Sequence, residues 1–138
     1  MRVFGIDGTL IALPNEDALV KEFGVWNAQN GRSPPRARVS AFFDCPNLVS
    51  HDNQIEPKSV GERKLASRQI NNTELSSEDV IILDRGYAAH WLFQMILDLG
   101  THFCARMPSS WQEVKDFLNR DVQDQLRSLG CHSAMESS

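Results

Sequence analysis

Val3 to Ile6 is a short apolar run that leads directly into Asp7, and Val80 to Leu83 leads in the same way into Asp84. Runs of this kind suit strands covered on both faces in an α/β sheet. If the two strands are parallel neighbours, both carboxylates stand at one rim, where open α/β sheets bind ligands. Adjacent carboxylates raise each other's pKa, whereas a divalent cation stabilises both anions. Magnesium takes one or two carboxylates and completes its shell with water and substrate phosphate oxygens. Two such ions about 4 Å apart activate a water or hydroxyl and stabilise the leaving oxygen in phosphodiester chemistry. The plain alternative is that Asp7 and Asp84 merely end strands.

The remaining elements must place that rim. After Pro14, Asn15 can cap a short helix carrying Ala18, Leu19 and Phe23, with Gly24 as its stop. Residues 27–35 read as a polar surface loop. Val39 to Phe43 and Leu48 to Ile55 read as a hairpin turned by Asp44, Pro46 and Asn47. Ser59 with Glu62 has capping-box spacing ahead of Leu65, Ala66 and Ile70. Ala88, Trp91, Leu92, Met95, Ile96 and Leu99 share a helical stripe that Gly100 stops, and Thr101 to Arg106 is a further strand. Ser110 and Glu113 open a last helix through Trp111, Val114, Phe117, Leu118, Val122, Leu126 and Leu129, followed from Gly130 by a polar tail. An antiparallel front and a strand-helix-strand back predict a mixed sheet with helices on its faces, joined by a right-handed crossover.

Composition narrows the classes. A net charge of −4 over 138 residues argues against a free-standing basic clamp for nucleic acid. The segment from Arg32 to Arg68 is the exception, with seven basic residues against four acidic ones. It suits either DNA backbone or a solvated face. Cys45, Cys104 and Cys131 have no paired spacing, so neither a disulfide framework nor a zinc cage is expected, and a reducing compartment is. No apolar run is long enough for a bilayer, and residues 1–20 carry no secretory pattern, so no membrane partner is expected.

Asp7-Gly8-Thr9-Leu10 is similar to the first motif of haloacid-dehalogenase-like phosphatases, but the position of that family's nucleophile is Gly5 here. Without a nucleophile the covalent aspartyl route cannot run. A wider resemblance covers residues 2–120. Asp7-Gly8-Thr9 within Val3 to Leu13, the Val39 to Asp44 strand, Gly61 to Ala66, Ile82 to Tyr87 and His102 to Arg106 occur in one order. In this the chain resembles the catalytic domain of bacterial insertion-sequence transposases of the DDE class, which have a ribonuclease H-like fold.

That resemblance implies a domain over residues 1–122, with residues 123–138 as a helix end and polar tail. It implies Asp7 and Asp84 as catalytic, metal-binding carboxylates for Mg2+ or Mn2+, and Arg85, Tyr87 and Arg106 as DNA-binding residues. Glu62 and Arg63 match the family's glutamate-arginine step, with a surface salt bridge as the simpler reading. Transposon-end DNA, a transposase dimer and a bacterial cytoplasmic, nucleoid-associated location follow from the same resemblance.

The family's third carboxylate is a glutamate on a later helix with a tyrosine before it, and the one tyrosine here is Tyr87. A segment ahead of the first strand is also expected to be missing. The chain is therefore expected to be a truncated transposase, incomplete towards its C-terminus, that binds metal weakly and does not cut DNA alone. The rival expectations are a small metal-dependent phosphatase or nuclease using Asp7 and Asp84, and a non-catalytic remnant that modulates the full-length enzyme.

Overall fold

In the computed structural model, which describes residues 1–28, 31–120 and 123, alternation and turn chemistry build most of the expected elements. Strand β1 (Val3–Ala12) is followed by α1 (Asp17–Phe23), the short strands β2 (Trp26–Ala28) and β3 (Gly31–Ser33), then β4 (Arg36–Asp44) and β5 (Val49–Pro57). Next come α2 (Glu62–Asn72), β6 (Val80–Leu83), a single 3-10 turn (Arg85–Tyr87), α3 (His90–Asp98), β7 (His102–Ala105) and α4 (Gln112–Leu118). The chain divides into two compact units, Met1–Arg106 and Met107–Ser138.

The first unit holds a five-stranded sheet of order β5-β4-β1-β6-β7. β1, β4 and β5 pair antiparallel, whereas β1, β6 and β7 pair parallel. The hairpin is turned where expected: Asp44 accepts the Asn47 N–H at 3.2 Å and its side-chain amide at 2.9 Å. One face of the sheet carries the core. Phe4, Ile6, Phe42, Ile81 and Leu83 are buried with Leu65, Ala66 and Ile70 of α2 and Leu92, Phe93 and Ile96 of α3. Each large apolar side chain buried there contributes about 1.5–3 kcal/mol. Phe4 and Phe42 stack at 4.8 Å, and Phe93 and Phe103 at 4.4 Å.

A polar link also ties α2 to the sheet. The fully buried Gln69 accepts from the Ser40 hydroxyl at 2.8 Å and donates to the Ser40 and Asp52 carbonyls at 2.9 and 3.1 Å.

Three local details differ from the sequence expectations. The polar stretch 27–35 contains a ladder, Trp26↔Ser33 through Ala28↔Gly31, because backbone pairing needs no apolar side chains. The N-caps of α1, α2 and α4 are Glu16, Gly61 and Trp111, none with a side-chain cap bond. Glu62 is the first helical residue of α2, and its carboxylate goes to Arg38 instead of back to the cap. Glycine stops do occur at Gly24 (φ 78) and Gly100 (φ 72), both in the left-handed region that glycine adopts without strain. In the second unit α4 spans Gln112–Leu118. The expected continuation through Val122, Leu126 and Leu129 lies outside the described residues.

Candidate active site

The parallel register decides which groups meet. β1 and β6 pair as Val3↔Val80, Phe4↔Ile81 and Gly5↔Ile82. The same offset carried two residues further brings Asp7 beside Asp84, whose backbone is still extended (φ −74, ψ 166). β6 and β7 pair up to Leu83↔Ala105, and the Arg106 N–H continues the ladder to the Leu83 carbonyl at 3.0 Å. Asp7, Asp84 and Arg106 therefore form one row across three parallel strands, with neighbouring strands about 4.8 Å apart. All three are exposed. Since side chains alternate along a strand, the buried Ile6 and Leu83 put Asp7 and Asp84 on the face opposite the core.

The core side braces this row from behind. Gly8 follows Asp7 and donates its N–H to Asp7 Oδ1 at 2.9 Å. A Cβ on Gly8 would lie 3.2 Å from the Tyr87 hydroxyl and 3.9 Å from Cγ of Glu62. Glycine is thus what lets Tyr87 reach the strand. Tyr87 is 4% exposed. Burial, then the negative charges of Glu62 and Asp7, push its phenol up to about 12, so it stays protonated at neutral pH. Glu62 is paired with Arg38 of β4. The next residue, Arg63, donates from Nε to the Gly86 carbonyl at 3.0 Å. Arg63 thus holds the turn that carries the chain away from Asp84.

At the opposite end of the two central strands lies a second tie. Asp79 accepts from the backbone N–H, Nε and Nη2 of Arg2 at 3.2, 3.0 and 2.6 Å. It also accepts from the Ser76 N–H at 2.7 Å and the Ser76 hydroxyl at 3.0 Å. Those bonds, the Arg2 side chain first, hold the Asp79 carboxyl well below the usual carboxylate range despite its burial.

Of the residues singled out from the sequence, Asp7, Asp84 and Arg106 are brought together, and Arg85 is exposed in the turn after Asp84. Tyr87 faces the core behind them. Arg38, with its side chain 13% exposed, was not singled out. Its signal is that it shares the inward phase of β4 with Ser40 and Phe42, where an ionic group needs a partner. The Asp79 tie had no comparable signal, because Arg2 is remote in sequence.

As a donor set, two neighbouring exposed carboxylates suit one magnesium-like ion, which takes one or two protein carboxylates. Among the described residues, no three His, Cys, Asp or Glu side chains converge on a common point that would hold a metal. The covalent aspartyl route of haloacid-dehalogenase-like phosphatases fits less well. A Cβ on Gly5, two residues before Asp7, would lie 2.9 Å from Cζ of Phe43 and 3.1 Å from Sγ of Cys45. An acidic nucleophile there would have to displace the Phe43 ring.

A mixed sheet with this strand order and helices packed against it has the ribonuclease H-like fold of DDE transposases. The chain is similar in structure to a piggyBac transposase seen by cryo-EM in a synaptic complex with hairpin DNA, with a TM-score of 0.60 at 12% sequence identity. The match covers 91% of this chain and 27% of that one, so the chain spans about a quarter of that transposase. No curated protein matches the chain significantly. A model of the transposase DDE domain matches residues 1–133, and the chain belongs to that family.

Proposed function

We propose that this chain carries the first two carboxylates of a DDE transposase site acting on DNA, with Asp7 and Asp84 as ligands of one divalent cation, Mg2+ or Mn2+. The observation that carries this reading is the shared row of Asp7, inside β1, with Asp84 and Arg106, which directly follow the parallel strands β6 and β7. When bound, such an ion supplies Lewis acidity toward a phosphodiester oxygen and lowers the pKa of a bound water. The protein's own contribution is placement. Asp7 and Asp84 hold negative charge at one point of the rim, and Arg106 and Arg85 offer cations to a phosphate beside it. Tyr87 acts from behind, where it fills the space that Gly8 leaves.

Residues 1–122 are read as the part of a catalytic domain that bears this pair, and the helix end and tail expected over 123–138 lie outside the described residues apart from residue 123. Two carboxylates hold one ion, whereas two-ion strand cleavage needs a further ligand. The chain alone is therefore expected not to nick DNA. Bacterial insertion-sequence ends as the substrate, and a dimer on that DNA, belong to the same proposal.

The test is paramagnetic broadening by Mn2+ in the amide spectrum of the labelled chain. Broadening is expected to centre on Gly8 and Arg85 and to vanish in both Asp7→Asn and Asp84→Asn. Broadening that survives either substitution, or none at millimolar Mn2+, would overturn the metal reading. Robust nicking of supercoiled DNA with Mg2+ or Mn2+ would overturn the expected inactivity.

A further inference from the structure

The paired register of β1 and β6 ends at Gly5↔Ile82, two residues short of Asp7 and Asp84. Beyond that point β1 continues along β4, whereas the chain after Asp84 turns off through Arg85–Tyr87. The gap between the two carboxylates must then be kept by side chains that lie behind both segments. A Cβ on Gly8, the residue after Asp7, would stand 3.9 Å from Cγ of Glu62, and a Cβ on Gly86, two residues after Asp84, 3.7 Å from Glu62 Oε2. Chain neighbours apart, Glu62 is the one group among the described residues within 4 Å of both places. Its stem lies beside β1 and its carboxylate beside the turn.

Two features mark this placement as specified by the fold. Arg38 stands opposite Glu56 in the β4–β5 register, yet Glu56 is paired with Arg68 of α2 and Arg38 reaches instead to Glu62. The Arg38 and Glu62 side chains are 13% and 39% exposed, so the anchor is partly shielded from water. Ser59 and Glu62 also have capping-box spacing, but α2 starts at Gly61 with no side-chain cap bond. A local stabilisation left unused in favour of a tertiary contact is a pattern found where residues serve a site.

We propose that Glu62, fixed by Arg38, is a positioning residue that sets the separation of Asp7 and Asp84 for one divalent cation. The proposal rests on the reading of those two carboxylates as metal ligands, and it adds what holds them at ligand spacing. A magnesium-like ion demands near-octahedral geometry with bonds of about 2.1 Å, so an altered gap lowers affinity. Reach matters here more than charge, because Arg38 already offsets the charge of Glu62.

The experiment measures Mn2+ affinity of the full 138-residue chain by paramagnetic broadening. Glu62→Gln keeps the reach and removes the charge, whereas Glu62→Asp keeps the charge and shortens the reach by one methylene. Glu62→Gln is expected to stay within about 3-fold of wild type, and Glu62→Asp to bind about 10-fold more weakly, as for groups that orient metal ligands. In the metal-free chain the Gly8 and Gly86 amides are expected to shift in Glu62→Asp and to stay in place in Glu62→Gln. Asn47→Ala loosens the β4–β5 turn and controls for lost stability, with Mn2+ affinity expected to match wild type. If circular dichroism shows that Glu62→Asp does not fold, Arg38→Lys, which gives up the planar fork that grips Glu62, is expected to weaken Mn2+ binding several-fold.

A loss in Glu62→Gln with Glu62→Asp near wild type overturns the proposal, because charge and not reach would then matter. Equal affinity in all folded variants overturns it, and so does a loss that tracks melting temperature with Asn47→Ala included. In each of those cases Mn2+ binding that Asp7→Asn abolishes leaves the metal reading standing. Wild-type chain without Mn2+ binding defeats the metal reading, and this role with it.

Discussion

Arg2 and Asp79 are bonded at the starting ends of β1 and β6 with a separation of 77 residues, the same offset that aligns Asp7 with Asp84 where β6 finishes. A parallel pair has evenly spaced, slanted bonds and no turn to fix its register. A slip of one residue would send one of the two carboxylates to the core face. The charged tie at one end thus sets which groups meet at the other.

Asp79→Asn keeps the shape and removes the charge. It is expected to lower the unfolding free energy by about 2 kcal/mol, since bonds to charged groups contribute roughly 1.5–3 kcal/mol each and those from Ser76 survive. Urea denaturation at neutral pH measures this, and a loss below about 0.5 kcal/mol would show that the tie is dispensable.

Acid exposes the same group. The native Asp79 carboxyl titrates well below its unfolded value, so its contribution is complete above the unfolded pKa of about 3.9. It is lost as pH falls from there through the native value. Asp44, lowered chiefly by the Asn47 side-chain bond, adds to the same window. Wild type should lose stability steeply below about pH 4, and Asp79→Asn should show a flatter profile. Parallel profiles for the two would refute the assignment to Asp79.

Arg63 grips the Gly86 carbonyl and so acts on Asp84 through the backbone. Arg63→Ala is expected to weaken Mn2+ binding several-fold while the melting temperature moves by only a few degrees, because an exposed side-chain bond contributes about 1 kcal/mol or less. Mn2+ affinity that follows stability alone across several variants would reduce Arg63 to a surface residue.

Gly8 and Tyr87 form the tightest approach behind the row. Gly8→Ala should cost about 1 kcal/mol by overpacking, and Tyr87→Phe should recover part of that cost in the double variant by removing the hydroxyl. Additive effects in the double-mutant cycle would mean that the two do not touch.

How far the sequence foretold this molecule follows from the range of the forces involved. β1, β6, the β4–β5 hairpin and α3 were legible because apolar period, Asp44-Asn47 turn chemistry and Gly100 act over a few residues. Asp84 was legible as a strand-end carboxylate for the same reason, whereas Asp7, expected at a strand end, lies inside β1, which pairs with β4 as far as Ala12. Their alignment depends on Arg2 and Asp79, which only a folded sheet brings together. Ser59 and Ser110 had the spacing of caps, yet helix starts were set by tertiary demands such as the Arg38 guanidinium drawing Glu62 inward.

Gly5 carries one more consequence. Two of the four glycine codons, GGT and GGC, stand a single base change from aspartate, and an aspartate here would complete the paired-aspartate signature of a phosphatase in the linear sequence. The Phe43 ring and Cys45 thiol already fill the volume where the new side chain would begin. Packing on the neighbouring strand thus obstructs a route to a second chemistry that the genetic code leaves open, and the Phe43 ring would have to move before Gly5 could change.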